Sequence, residues 1–520
     1  MPANFIACDR DQVMLMPPSL LDWVPSDHLV WTVLSSVAEM DLGAFYANYR
    51  ADGHGRPAYD PSMMVGLLLY AYSRGNRSSR AIERECREDV VYKLITAQRV
   101  PDHSTIAEFR KRHETALAEL FGSVLSLCRE AGLVSVGVIA VDGTKVKANA
   151  SRDANLDYGE VVREILKEAD EIDRAEDERY GEARGDELPE QLLTPEGRRA
   201  ALRAAKERLQ RQTQHDGLNE AVVSDVGEDQ RTPALEFDAE KIVRRVDGRE
   251  GWLRVARAQV AARREREARP IVRDRLGRLL DGARKLEEDD AAELEAMSAY
   301  EHFRAHGRDR QSRRLSSAPR KPWVPPQEPA GKVNTTDPDS RVVKTMGQPG
   351  KQGYNAQAAV NEHQIVIAAE VACRSGDFGL FGPMVEAAER ELSAIGHTEL
   401  PGTVVADAGY WHTDQMESVA SRGMQVLIPP DSRLHTTTRP GWDKGPYARM
   451  RALLETVHAK ALYKTRQTSI EPVFGQIKFN RKIDRFQRRG HAAARSEWRL
   501  ATATHNLMKL HSHRIAVNTA

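Results

Sequence analysis

Residues 134–150 read Val-Ser-Val-Gly-Val-Ile-Ala-Val-Asp-Gly-Thr-Lys-Val-Lys-Ala-Asn-Ala, and here the periodicity of the chain changes from that of helices to that of strands. The apolar residues of this stretch up to Val141 predict a buried strand. After Asp142-Gly143, apolar and polar residues alternate, which predicts a second, half-exposed strand. Because Asp-Gly is a common turn sequence, we expect a hairpin with Asp142 at the end of its first strand.

The region before this stretch, residues 1–133, is predicted to be a helical N-terminal domain. Pro61 to Ser73 is a dense apolar run with proline at its start, a favoured first position of a helix. Asp102 to Leu127 predicts another helix. Short helices with exposed arginines suit a DNA-contacting module, and a helical packing or dimerisation domain explains the pattern equally well. The arginines concerned are Arg77, Arg80, Arg84, Arg110 and Arg112.

The region after it changes character twice. Residues 151–315 are highly charged with helical spacing of their apolar residues, which predicts an inserted set of long amphipathic helices. Residues 316–332 form a proline-rich basic linker. From residue 333 to 511 strand and helix patterns alternate, followed by a tail at 512–520. The fold class is therefore α/β: a mixed sheet with flanking helices, built from residues 134–150 and 333–511 and interrupted by the helical insertion.

The charge and the cysteine content of the chain indicate its binding partners and its cellular compartment. The 520 residues contain 76 basic and 76 acidic side chains, so net charge argues neither for nor against nucleic acid. Residues 461–520, however, are strongly basic, as expected for a surface that binds a polyanion. The cysteines Cys8, Cys86, Cys128 and Cys373 form no CxxC pair, and we find no targeting or membrane-spanning pattern. These features predict a cytoplasmic protein without a membrane partner.

Three acids stand out as a candidate metal site. Asp142 and Asp407 each follow an apolar strand, and Glu471 lies in the basic segment from Ile470 to Lys478. Alone, each has an ordinary explanation as a turn, a helix cap or a solvated charge. Together, three carboxylates without a cation would repel one another, and all-oxygen ligands favour Mg²⁺ or Mn²⁺. Two such ions would support hydrolysis and transfer of phosphodiesters.

Glu471 is followed by Pro472, which disfavours helical geometry at the residue before it. We therefore expect Glu471 at the start of a helix or on a kink. Lys478 lies two turns further on and would face the same side, as a phosphate contact or as a plain surface lysine.

Other polar residues receive structural interpretations. His103 is expected to cap or pack a helix. Trp411 is expected in the core, although it could stack on an unpaired base. Asp339 and Asp377 are interpreted as turn or cap residues, and as the first substitutes if one of the three acids is wrong.

Seven segments, in this order along the chain, resemble the DDE-type transposases of bacterial insertion sequences. They are Gly55–Pro61, Pro101–Thr105 with Phe109-Arg110, Val141–Lys145, Asp337–Ser340, Gly353–Gln357, Ala406–Tyr410 and Glu471–Lys478. The resemblance covers roughly residues 15–150 and 333–511, and the charged middle matches no motif.

The resemblance implies an RNase H-like core in which Asp142, Asp407 and Glu471 bind the metal ions. Related transposases carry a tyrosine and an arginine before the glutamate and a lysine after it. The corresponding residues are Tyr463, Arg466 and Lys478, with Arg466 one position away from the commonest spacing. Together with Lys145, these residues are expected to bind DNA.

The function implied is a metal-dependent DNA transposase. It would bind the terminal inverted repeats of double-stranded DNA, cleave at the element ends and join the 3′-hydroxyls to target DNA. Holding two ends implies a homodimer in a synaptic complex, located at the bacterial nucleoid. Two alternatives remain open: a metal-dependent nuclease of the same fold, and an inactive DNA-binding protein derived from a transposase.

Overall fold

The computed structural model describes residues 19–49, 58–180, 200, 248–267, 274–306, 323–344, 349–430 and 445–519. Residues 55–57, Cys8, and parts of the predicted insertion and linker lie outside the described residues.

Helices dominate the described residues before and after the sheet. Before the sheet they are α1 Leu29–Glu39, α2 Gly43–Tyr46, α3 Pro61–Ser73, α4 Ser79–Glu88, α5 Val90–Ile95, α6 His103–Arg112 and α7 Glu114–Glu130. The central ones are α8 Tyr158–Tyr180, α9 Arg249–Arg266 and α10 Arg275–His306. The later ones are α11 Phe381–Ala394, α12 Thr413–Ser421, α13 Gly445–Glu455, α14 Val457–Gly475 and α15 His491–Thr519.

The strands form a mixed sheet and a short ribbon. They are β1 Val138–Lys147, β2 Asn155–Asp157, β3 Lys332–Asn334, β4 Arg341–Val343, β5 Lys351–Asn361, β6 Val366–Ala372, β7 Thr403–Ala406 and β8 Gln425–Leu427. In the six-stranded sheet β1 is central, with β5 antiparallel on one side and β7 parallel on the other. β8 continues the parallel side, and β4 and β6 pair with β5. The mixed sheet with flanking helices predicted from the sequence is confirmed.

The predicted hairpin at Asp142-Gly143 is wrong. β1 is a single strand of 10 residues that runs straight through both positions. Asp142 pairs with Ala358 and Gly143 with Gln357, so the neighbouring strand β5 continues the ladder across the expected turn. Local turn preference is overruled because β1 has hydrogen-bonding partners along this whole stretch.

One hydrophobic core joins the N-terminal helices to the sheet. The long helix α15 crosses behind the sheet and supplies polar contacts to its backbone. Trp498 Nε1 donates to the carbonyl of Gln357 at 2.9 Å. The side-chain amide of Asn506 accepts from Val366 N and donates to Val366 O, each at 2.8 Å. These bonds satisfy backbone groups of β5 and β6 where a buried unpaired group would be costly.

Two of the arginines expected on the DNA-facing surface are instead buried. Arg77 forms an ion pair with Glu497 of α15, with 2.9 Å between Nη1 and Oε1 and side-chain exposures of 7% and 1%. Arg77 also donates to the carbonyls of Lys482 and Arg485. Arg110 donates to the carbonyl of Arg77 at 2.8 Å. Residues 481–490 are called the strap below, because this arginine cluster ties them to the N-terminal helices.

The helix predicted from Asp102 to Leu127 is divided in two. Asp102 caps α6 as expected, accepting from Thr105 N at 2.8 Å. The chain breaks at His113, which is buried against the rings of Phe45 and Phe109. This contact with distant residues has no signature in the local sequence.

The predicted helical insertion is confirmed for its described part. Helices α8 and α10 share a separate small core that includes Val161, Ile165 and Leu279. β2 and β3 pair antiparallel, with Leu156 opposite Val333, so the two ends of the insertion meet at this ribbon. Among the described residues, we find no helix with the length and apolar character required to span a bilayer.

Candidate active site

The sheet register brings two of the predicted acids together. Val141 of β1 pairs with Ala406 of the parallel strand β7, so the next residues, Asp142 and Asp407, lie side by side. Asp407 follows its strand as predicted and caps the turn Ala408–Tyr410, accepting from Gly409 N at 2.8 Å. Asp142 is in the middle of β1 rather than at its end, which corrects the sequence-based expectation.

Both carboxylates are held in a low-dielectric, mutually repulsive environment. Burial raises the pKa of Asp142 to about 6, and the nearby Asp407 and Asp377 add to the rise while Arg466 opposes it. Burial also raises the pKa of Asp407, and Asp377 contributes again. A cation bound between them would relieve both costs.

Asp377, interpreted from sequence as a turn or cap, is part of this cluster. Its Oδ1 accepts from Lys145 Nζ at 3.1 Å, Asn355 Nδ2 at 2.7 Å and Gln357 Nε2 at 3.0 Å. Because three donors fix that oxygen, Asp377 is held in one orientation. Asn355 and Gln357 are positioning residues that were not predicted from the sequence, although both belong to the motif segment Gly353–Gln357.

A signal for these two residues exists in the sequence. Asn355 and Gln357 are polar residues two positions apart in β5, a strand otherwise rich in alanine, and both are buried. Buried amides require partners, so alternating amides in a buried strand point to a polar network. The network continues to Tyr410, whose hydroxyl donates to Gln357 Oε1.

Gly143 permits this network to approach β1. A Cβ at this position would lie 2.1 Å from Gln357 Nε2 and 2.8 Å from both Asn355 Oδ1 and Asp377 Oδ1. The glycine is therefore required for close approach of side chains, and not for the turn that the Asp-Gly pair suggested.

Glu471 lies inside α14 and Pro472 follows it in the same helix, so the expectation of a helix start is wrong, and the alternative of a kink stays a prediction. A proline there leaves the carbonyl of Thr468, four residues earlier, without its usual helical donor. Gln364 Nε2 donates to that carbonyl at 2.9 Å and replaces the missing bond. The side chain of Glu471 is 53% exposed.

Arg466 connects Glu471 to the aspartate pair. Its Nη1 lies 2.5 Å from Asp142 Oδ2 and its Nη2 lies 3.9 Å from Glu471 Oε1. The unusual spacing of Arg466 therefore still places its guanidinium between two of the predicted acids. Tyr463 is half-buried one turn earlier on α14 and packs against the hydrophobic core.

A group of lysines lies next to the site, where Lys478 contacts β1. Lys478 Nζ donates to Thr144 Oγ1 at 2.9 Å and to the carbonyl of Lys145 at 3.0 Å. Burial lowers the pKa of the Lys478 ammonium, and the nearby carboxylate of Asp484 opposes this shift. Three other ammonium groups lower the pKa further, those of Lys145, Lys147 and Lys351. These four lysines, Lys145, Lys147, Lys351 and Lys478, are called the lysine cluster below. Two of these ammoniums are paired with acids, Lys145 with Asp377 and Lys147 with Asp484, at 3.1 Å each. The four lysines still outnumber these two acids, and such an excess of positive charge suits a phosphate.

The remaining candidates have structural contacts. His103 Nδ1 lies 2.7 Å from Glu83 Oε2. Asp339 forms an ion pair with Lys285 and accepts from His491 N at 2.9 Å. Trp411 is partly buried and stacks on Tyr447, with ring centroids 4.8 Å apart.

The side-chain oxygens at this site are the kind of ligand that hard divalent cations bind. Asp142, Asp407 and Glu471 offer carboxylate oxygens only, and Asn355 Oδ1 is a buried acceptor that has no hydrogen-bond partner among the residues that the structure describes. Within the described part of the chain, however, no three ligating side chains are already gathered at the spacing that a metal ion needs. Glu471 is kept apart by the intervening Arg466.

Comparison with known protein families gives two matches. Residues 18–112 match the family model of a transposase domain (DUF772), and residues 333–507 match that of a transposase DDE domain. No curated protein and no solved structure matches the chain. The DDE domain has an RNase H-like fold, consistent with the sheet order around β1. The chain belongs to the DDE-type transposases of insertion sequences.

Proposed function

We propose that this transposase binds the terminal inverted repeats of its element, cleaves at the ends and joins the 3′-hydroxyls to target DNA. Asp142, Asp407 and Glu471 would hold two Mg²⁺ or Mn²⁺ ions. The observation that carries the proposal is the register that sets Asp142 beside Asp407, with Arg466 linking Asp142 to Glu471.

The chain's own residues supply the organisation of the site. Divalent ions bound there would activate a water or a 3′-hydroxyl and stabilise the leaving oxygen. The aspartates are buried and repel each other, so they gain more from a cation than solvated carboxylates would. Asp377 is held by Lys145, Asn355 and Gln357, and keeps the rim of the site in a fixed geometry.

Contacts to DNA would come from two regions. The lysine cluster and Arg466 would hold the phosphate backbone next to the acids, with Tyr463 on the same helix. The N-terminal helices would read the repeats; Arg84, with a 62% exposed side chain, is an available contact there, whereas Arg77 and Arg110 are not. A homodimer would hold the two element ends in one synaptic complex.

The test is an assay with labelled duplexes that carry the inverted repeats flanking the gene. We expect cleavage at the element end and joining to a plasmid target with Mg²⁺ or Mn²⁺, and neither product with EDTA. A 3′-dideoxy end should be bound but not joined. Cleavage without any joining would favour a nuclease, and binding without either product would favour an inactive DNA-binding protein.

Replacing Lys351 by glutamine should weaken DNA binding and reduce its salt dependence. One lost phosphate contact lowers the slope of log Kd against log salt by about 0.9. Binding is measured by fluorescence anisotropy between 50 and 300 mM salt, roughly the range over which counterion release is resolved.

Lys332 provides the matched control for Lys351. It is an exposed lysine on β3, in the ribbon that β3 forms with β2, and no proposed DNA contact lies on that strand. Lys332→Gln should keep the wild-type slope. Equal slopes for Lys351→Gln and Lys332→Gln would remove Lys351 from the proposed DNA surface.

A further inference from the structure

Phe479 is the most exposed aromatic side chain among the described residues, at 84%. It directly follows Lys478 in a π-helical segment, Gln476–Asn480, that ends α14. A single exposed apolar residue needs no explanation by itself. What requires one is that Phe479 directly follows Lys478, the member of the lysine cluster that contacts β1.

The segment that carries Phe479 is firmly anchored. Ile477 and Ile483 are fully buried on either side of it. Arg481 is buried between them, and its Nη2 lies 2.9 Å from His505 Nδ1. A fixed backbone that presents an aromatic ring to solvent loses little conformational entropy when that ring binds a partner. π-Helical turns of this kind occur frequently at functional sites.

The charges around Phe479 identify the chemistry of its partner. Lys478 precedes it directly in the chain, and Lys482, three residues after it on the strap, is exposed. A lone aromatic in a basic surface matches sites where ammonium groups hold the phosphates and a ring contacts the bases. A binding site for another protein would usually present several apolar side chains around the ring, and not one ring alone.

Phe479 is also close enough to the scissile position. Lys478 contacts Thr144, which lies two residues after Asp142 on β1, roughly 7 Å along the strand. One strand of DNA rises about 3.4 Å per nucleotide. By way of Lys478 and Thr144, Phe479 therefore lies within a few nucleotide steps of a phosphate bound at Asp142.

We infer that Phe479 stacks on DNA bases next to the cleaved phosphate and unstacks the duplex there. The inference rests on the proposed function. Its role is to open the end locally, so that the strand to be cut enters the acid cluster while the lysine cluster holds its backbone. Apolar side chains that enter a base stack commonly distort the duplex in this way.

The test uses duplexes that carry the flanking inverted repeat with 2-aminopurine at each of the two positions next to the cleavage site. Binding is measured without divalent ions, so that no DNA is cut. Wild type should raise the fluorescence through unstacking, and Phe479→Ala should abolish the rise. Phe479→Ala should also weaken binding by about 5- to 100-fold, the range expected for one lost stacked base.

Two further variants make the result specific. Phe479→Trp keeps a stacking ring and should restore both signals. Val457→Ala removes an equally exposed apolar side chain, 87% exposed at the other end of α14, and should behave as wild type. Equal fluorescence and affinity for Phe479→Ala and Val457→Ala would overturn the inference. So would a change in the sedimentation of the DNA-free protein on Phe479→Ala, because Phe479 would then be a contact between copies of the chain.

The outcomes separate this inference from the proposed function. Wild type that cleaves and joins the ends without any rise in fluorescence would overturn the role of Phe479 alone. Wild type that binds the repeat no better than a random duplex of equal length would overturn both.

Discussion

Asp142→Asn is expected to lower cleavage at the element ends by about 10³-fold or more, because it removes a carboxylate from the proposed metal site. Glu471→Gln should have a loss of similar size. Binding to the uncut repeat should stay within about threefold of wild type for both variants, since phosphate contacts dominate affinity. Single-turnover cleavage and anisotropy on the same duplex measure the two effects.

The same Asp142→Asn change should stabilise the protein when divalent ions are absent. The pKa of Asp142 is raised to about 6 in the folded chain, above its ordinary value of 3.8. The stability associated with the protonated Asp142 side chain is therefore fully present below pH 4 and is lost as the pH rises through 6. At pH 8 the asparagine variant should gain at most about 3 kcal/mol.

Melting curves in EDTA at pH 5 and pH 8 test this, and the gap between variant and wild type should widen at pH 8. Glu399→Gln, an exposed change in the loop before β7, is the control and should alter neither activity nor stability. A variant that loses stability at pH 8 would show that Asp142 is needed for folding, and its inactivity would then say nothing about the chemistry.

Gly143→Ala is expected to lower cleavage about 10²-fold, the effect of a displacement of roughly 1 Å at a catalytic group. Its Cβ would overlap Gln357 Nε2 at 2.1 Å and press on Asn355 and Asp377. The strand or the network must shift, which should also cost about 1–3 kcal/mol of folding free energy. Cleavage rates and urea unfolding measure both losses.

Gly137→Ala is the matched control, because it adds the same methyl group just before β1. There the nearest atom, Glu362 Oε1, would lie at an ordinary 3.5 Å. Gly137→Ala should keep wild-type activity. If Gly143→Ala were equally active, the amides of β5 would not position the site.

The sequence predicted the strands well and the acids' surroundings poorly. Buried strands are decided by local apolar patterns. The apolar runs at 364–371, 402–407 and 424–429 predict strands that fall within a few residues of β6, β7 and β8. The turn at Asp142-Gly143 failed because strand pairing with β5 is a non-local interaction. The predicted helix start at Glu471 is wrong for the same reason, since Gln364, distant in sequence, donates to the carbonyl that Pro472 leaves without its helical donor.

Within the candidate site, sequence identified the acids but not what surrounds them. Asp142 and Asp407 each follow a strand pattern, and their proximity then depends only on parallel pairing. Asp377 has no such pattern, because its position in the cluster depends on donors from two strands. The bridging position of Arg466 likewise depends on how α14 packs across β1 and β7.

The buried pair of Arg77 and Glu497 limits how this kind of element can change its specificity. If the N-terminal helices read the repeats, exchanging them for those of another element would leave Glu497 buried without its ion-pair partner Arg77. The loss would cost about 3–5 kcal/mol of folding free energy. A graft would succeed only if the incoming helices carried an arginine at the same point. New target repeats should therefore arise by surface substitutions on the resident helices, and natural hybrids between distant elements should be rare.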